Sequence, residues 1–166
     1  MMLVPVSAET GTPASSVPVR FSFDNMGTVH IEFGFTRNAV TDMGTAITDA
    51  SLIELAETKE NSRVFEIPHD LFAYWRLLAA TDYNLSLRHT GYLDDAESIY
   101  PQDIIPFTLF CGSDVIPANQ DTIIMTHTGS IEPTVQSKPI SVKATSDKLN
   151  ASVYIATLTL TLTTIE

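Results

Sequence analysis

An all-β, antiparallel β-sandwich is the fold class this sequence predicts, on three observations. Apolar residues fall on alternate positions in several short runs, turn signals recur about every ten residues, and a single segment carries helical spacing. The elements follow in chain order.

Residues 1–16 read as a flexible leader, because "AETGTPASSVP" is small, polar and Pro-containing. The opening "MMLVPVSA" has two readings: the remainder of a secretory signal cleaved near Ala8, or an ordinary apolar segment. Residues 17–166 read as one domain, with neither an internal repeat nor a linker. In "VPVRFSF", Val17, Val19, Phe21 and Phe23 alternate with Pro18, Arg20 and Ser22, and Pro18 limits this run to an edge or a strand start. After the turn signal "DNMG", Val29, Ile31, Phe33 and Phe35 alternate with His30, Glu32 and Gly34. "SLIELAE" and "SRVFEIP" flank the polar "TKEN" as a hairpin.

The one helical pattern is "HDLFAYWRLLAATD". Leu71, Tyr74, Trp75, Leu78 and Ala79 take i, i+3, i+4, i+7, i+8 spacing, with Asp70 as N-cap. It predicts a short helix near 70–80 that packs Trp75 against a sheet. "YNLSLRHTGYL" places Leu85 and Leu87 on one face of a strand. "IIPFTLFCG", "DTIIMTHTG" and "KPISVKAT" add three more strands. The terminal "VYIATLTLTLTTIE" alternates leucines with Thr157, Thr159, Thr161 and Thr163, and should form a long strand paired on at least one side.

Composition narrows the partners. The 166 residues are 44% hydrophobic and 17% charged, enough for a proper core. A net charge of −11 argues against nucleic acid and anionic membranes, where Lys and Arg lead binding. No run reaches the roughly 18 apolar residues of a membrane-spanning helix. Cys111 stands alone, so no internal disulfide forms, and its apolar surroundings read as those of a small buried hydrophobe.

Catalytic patterns are hard to find, and nothing argues for an enzyme. His30, His69, His89 and His127 are scattered, without HExxH or CxxC spacing, and predict neither a metal site nor a cofactor. His30 reads as a surface residue on the polar face of its strand. Asp94, Asp95 and Glu97 read as a solvated acidic turn rather than an acid–base pair or calcium loop. Asn84 and Asn150 fit the N-glycosylation pattern, which is common by chance. Trp75 reads as core rather than a sugar platform.

The C-terminal third carries a resemblance. "QSKPISVKATSDKLNASVYIATLTLTLTTIE" resembles the end of the class 5 (colonisation-factor type) chaperone–usher fimbrial subunits: a short strand, a small-residue turn, a Tyr, and a terminal alternating strand. Tyr154 stands where that family places its Tyr. "IIPFTLFCGSDVIPA" is similar to the family's Pro-led strand, Gly-containing turn and second strand, and the family also manages without a disulfide. The resemblance implies an immunoglobulin-like domain missing one strand, filled first by a periplasmic chaperone and then by the next subunit's N-terminal strand. It implies Val17, Val19, Phe21 and Phe23 as donor-strand residues, and Leu158, Leu160 and Leu162 beside Tyr154 as the acceptor groove. Partners would be copies of this chain or related subunits, the chaperone and an outer-membrane usher; the location would be an extracellular fimbrium reached through the periplasm. Two other readings stay open: a self-assembling β-sandwich virion protein of capsid or tail, and a carbohydrate- or receptor-binding adhesin domain using Tyr92 and Tyr100.

Overall fold

The computed structural model describes residues 30–50, 53–59, 62–68, 70–95, 104–146 and 154–165. The expected donor run Val17–Phe23, the "DNMG" turn, His69, Glu97, Tyr100 and Asn150 lie outside them. Among the described residues there is no helix, only strands: β1 (His30–Thr36), β2 (Ala56–Glu57), β3 (Val64–Glu66), β4 (Phe72–Ala79), β5 (Tyr83–His89) and β6 (Tyr92–Asp95), then β7 (Ile104–Cys111), β8 (Asp114–Ile116), β9 (Thr122–His127), β10 (Ser130–Thr145), β11 (Tyr154–Ile155) and β12 (Leu158–Thr164).

They form two antiparallel sheets. The larger runs β1-β4-β10-β7-β6-β11, with β3 paired to the far half of β10, β2 to β3, and β8 to β7; the smaller runs β12-β5-β9. β10 organises the larger sheet. Its first half pairs with β4 from Ser130↔Ala79 to Pro139↔Phe72. Its second half lies between β7 and β3, so that Lys143 faces both Thr108 and Glu66.

The core forms where the two inner faces meet, as period-2 patterning demands. The larger sheet contributes Phe35, Trp75, Leu77, Leu109, Cys111, Ile140 and Val142, and the smaller contributes Leu85, Leu87, Ile124 and Met125, all buried. Leu85 and Leu87 share the inner face, as their alternation requires. The "TKEN" hairpin forms as β2–β3, in the register Ala56↔Glu66 and Glu57↔Phe65. "KPISVKAT" is the second half of a strand twice its length.

The segment expected as a helix near 70–80 is instead β4, a central strand between β1 and β10. Ala73, Trp75, Leu77 and Ala79 turn to the core, while Tyr74 and Arg76 face outward and are also buried. Their cover is the segment 37–50. Arg76 Nη2 donates to the Thr45 carbonyl, and Ser137 Oγ bonds both the amide and the carbonyl of Val40, at 3.1 and 3.2 Å. A strand buried on both faces loses the polar alternation that marks a half-buried one, and eight such residues imitate helical spacing. Trp75 is core, as expected, but from a strand.

The charged groups under that cover bond one another, although Arg76 Nε is buried without a hydrogen-bond partner among the described residues. Glu32 accepts from Tyr74 Oη at Oε1, at 3.3 Å, and from Arg76 Nη1 at Oε2, at 3.5 Å, and His30 Nε2 lies 3.2 Å from the same Oε2. His30 is therefore half-buried in a polar cluster rather than a plain surface residue. Asp94 and Asp95, expected in a turn, belong to β6 and pair with Ile155 and Tyr154 of β11.

Candidate functional site

The candidate site is the outer edge of β12. This strand pairs with β5 over its whole length without interruption, from Leu158↔His89 to Thr164↔Tyr83. Period-2 geometry turns Leu158, Leu160 and Leu162 inward onto the core cluster and leaves Thr159, Thr161 and Thr163 exposed. The three leucines are only half-buried, whereas Leu85 and Leu87, facing them across the pair, are fully buried. Among the described residues, no strand pairs with the second edge of β12.

An antiparallel strand with one partner turns half of its N–H and C=O groups outward, where they form a template for another strand. Folded proteins usually blunt such edges with charges, Pro, bulges or shortness. The other edges here carry those devices. β2 and β11 have two residues each and β8 has three. β9 pairs with a register shift between Leu85 and Ser86. The half of β10 away from β7 contains Pro133, Lys138 and Pro139 and shifts register between Ser130 and Thr134. β1 carries Gly34 and the buried Glu32. β12 has no Pro, Gly, charge or bulge.

Tyr154 precedes this strand in the chain, on β11 of the larger sheet, half-buried, packed against the core and paired with Asp95. Its hydroxyl is buried and has no hydrogen-bond partner among the described residues. The structure thus places Tyr154, Leu158, Leu160 and Leu162 on consecutive elements, while Val17, Val19, Phe21 and Phe23 lie outside the described residues. Ile31 and Phe33 of β1 are likewise half-buried against the core. Their alternation marks them as inward-facing in the sequence, but no local signal tells that an inward residue will be incompletely covered.

His89 Nε2 lies 2.8 Å from the Ile116 carbonyl and His127 Nε2 lies 3.0 Å from that of Ala79. A carbonyl only accepts, so each Nε2 carries the proton. Among the described residues, no three His, Cys, Asp or Glu side chains gather as metal ligands. Cys111 is buried, and that burial pushes its thiol up from the ordinary range, with Lys138 opposing. Asn84 of the glycosylation pattern is half-buried and accepts from Thr126 Oγ1 at 2.8 Å; Tyr92 is half-buried on β6. A concavity of about 530 Å³ opens where β3 gives way to β4, with Arg37, Asp70, Phe72 and Ser141 in its lining. Among the described residues, no helix is long and apolar enough to cross a membrane. A scan of the chain against protein-family models finds no match, and neither does a comparison with curated proteins.

Proposed function

We propose that this chain is a structural subunit of a surface fimbria that polymerises by strand exchange and so supports adhesion. The observation that carries the reading is the unblunted edge of β12 with its half-buried leucines. An added strand there gains backbone hydrogen bonds along the edge and covers Leu158, Leu160 and Leu162 with its alternate side chains. Val17, Val19, Phe21 and Phe23 of a neighbouring copy have the spacing this demands, being apolar at every second position. The resemblance of the C-terminal third to class 5 fimbrial subunits supports the same assignment. In this reading a periplasmic chaperone covers the edge before assembly at an outer-membrane usher, and the domain is immunoglobulin-like with one strand supplied in trans.

The test compares the full chain with a version lacking residues 1–24, by denaturant unfolding and sedimentation. The reading expects the shortened chain to aggregate or unfold early, and a peptide spanning Ser16–Phe23 to restore it. A shortened chain that is a stable monomer without peptide means the sandwich is complete in itself, and strand exchange falls.

A further inference from the structure

The most exposed apolar side chains in the described structure stand together, on a different face from the β12 edge. Val115 of β8 is 57% exposed and Ile123 of β9 is 56% exposed. Both line one recess of about 70 Å³, floored by Cys111, Ile116 and Ile124 and flanked by Lys138 and Asp114. Close by in sequence and register, Arg88 of β5 pairs with Asp121 just before β9, at 3.7 Å, with both side chains about half exposed. The patch therefore sets two large apolar groups among two cations and two anions, and its local charge is balanced.

That balance contrasts with the net charge of −11 on the whole chain. With 9 basic against 20 acidic residues, two copies repel one another over most approaches. A contact between copies has to form where like charge is locally cancelled and apolar area is gained. We infer that the Val115–Ile123 patch is a side-to-side contact between two copies of this chain. A two-fold arrangement is the simplest, because the patch is self-complementary: Lys138 of one copy meets Asp114 of the other, and the reverse, around the paired apolar side chains. The contact is independent of strand exchange, since it uses β8 and β9 and leaves the outer edge of β12 free. Resting on two exposed apolar side chains and their flanking charges, the contact is reversible and weak.

Sedimentation of the full chain over a wide concentration range tests this. Phe23→Asp is present in every sample; it removes an apolar donor side chain from strand exchange and changes no residue of the patch. A reversible monomer–dimer equilibrium is expected, with Ile123→Glu weakening it roughly tenfold or more. Asp114→Lys and Lys138→Asp should each weaken it, and the two together should restore it, which a merely structural effect would not do. A chain that stays monomeric throughout, a dimer indifferent to Ile123→Glu, or a double variant that fails to restore association each overturns the inference.

Discussion

The indole of Trp75 meets the imidazole of His127 edge-on, with ring centroids 6.1 Å apart and planes at 86°. One ring comes from the middle of the larger sheet and the other from the edge of the smaller. His127 also reaches back across the layers to the carbonyl of Ala79, on the same strand as Trp75. Edge-to-face pairs of this kind add to area burial, so the two layers are joined here by a hydrogen bond and an aromatic contact at once.

Trp75→Ala should cost about 3–5 kcal/mol, the range for emptying a buried aromatic site. Trp75→Phe keeps most of the volume and should cost less. Urea unfolding followed by circular dichroism measures both, since the chain has one tryptophan and loses that fluorophore on mutation. A loss below about 1 kcal/mol for the alanine variant would contradict the complete burial of this ring.

Glu32 and Arg76 should behave as a pair. Arg76→Met alone strands a buried carboxylate and should cost about 3–5 kcal/mol. The double variant Glu32→Leu with Arg76→Met removes both charges and should lose clearly less than the two single losses added together. A double-mutant cycle in denaturant melts gives the coupling. Additive losses would mean that the pair is screened rather than buried.

Two glycines make a matched comparison. Gly112 has φ +63° and nothing within 4 Å of the place a Cβ would take, so Gly112→Ala tests backbone conformation alone. The expected cost is about 1 kcal/mol. At Gly129 a Cβ would lie 2.0 Å from the Ala80 carbonyl oxygen, against backbone that cannot turn aside. Gly129→Ala should therefore be the more damaging of the two, and the order of their melting temperatures checks it.

The raised Cys111 thiol predicts a pH effect whose sign is fixed. Folding holds the proton that the unfolded chain releases near its ordinary range of about 8.5. Stability contributed this way is complete below that pH and is lost as pH rises toward the folded value. Tyr74, whose phenol is also pushed well up, first by burial and then by Glu32, adds to the decline above about pH 10. Cys111→Ala should flatten the first part of the fall in stability between pH 8 and 10. The thiol of the folded wild type should also alkylate far more slowly than that of the unfolded chain.

Leu160→Ala separates the edge from the core. In the isolated chain the half-buried leucine should cost less than Leu87→Ala directly opposite it. If the edge receives a strand, affinity for the Ser16–Phe23 peptide should fall as well. Titration of the peptide into both variants measures this, and unchanged binding would move the acceptor edge elsewhere.

Much of this architecture is legible from local spacing. The alternation of Ile31, Phe33 and Phe35, of Leu85 and Leu87, and of the terminal leucines each predicts a strand and the face it buries. β4 misleads because its second face is buried by a segment some thirty residues earlier; "FAYWRLLA" has no solvent side to keep polar. The Glu32–Arg76 and Ser137–Val40 contacts join residues 44 and 97 positions apart, and spacing has no access to partners at that range. The β12 edge is legible as a strand, but its openness depends on what the rest of the chain leaves beside it.

β10 has one more consequence, for the order of folding. Three strands that precede it, β3, β4 and β7, pair with β10, and β10 alone joins the β2–β3, β1–β4 and β6–β7–β8 groups into one sheet. Until Ser130–Thr145 has been synthesised, the aromatic and aliphatic faces of β1, β4 and β7 have no strand to bring them into one layer. Long-range pairing of this kind slows folding and leaves sticky intermediates. A nascent chain therefore spends its vulnerable interval before β10 docks, and a factor that shields it acts most usefully on a molecule whose β1–β4 pair is formed and whose β7 is still waiting.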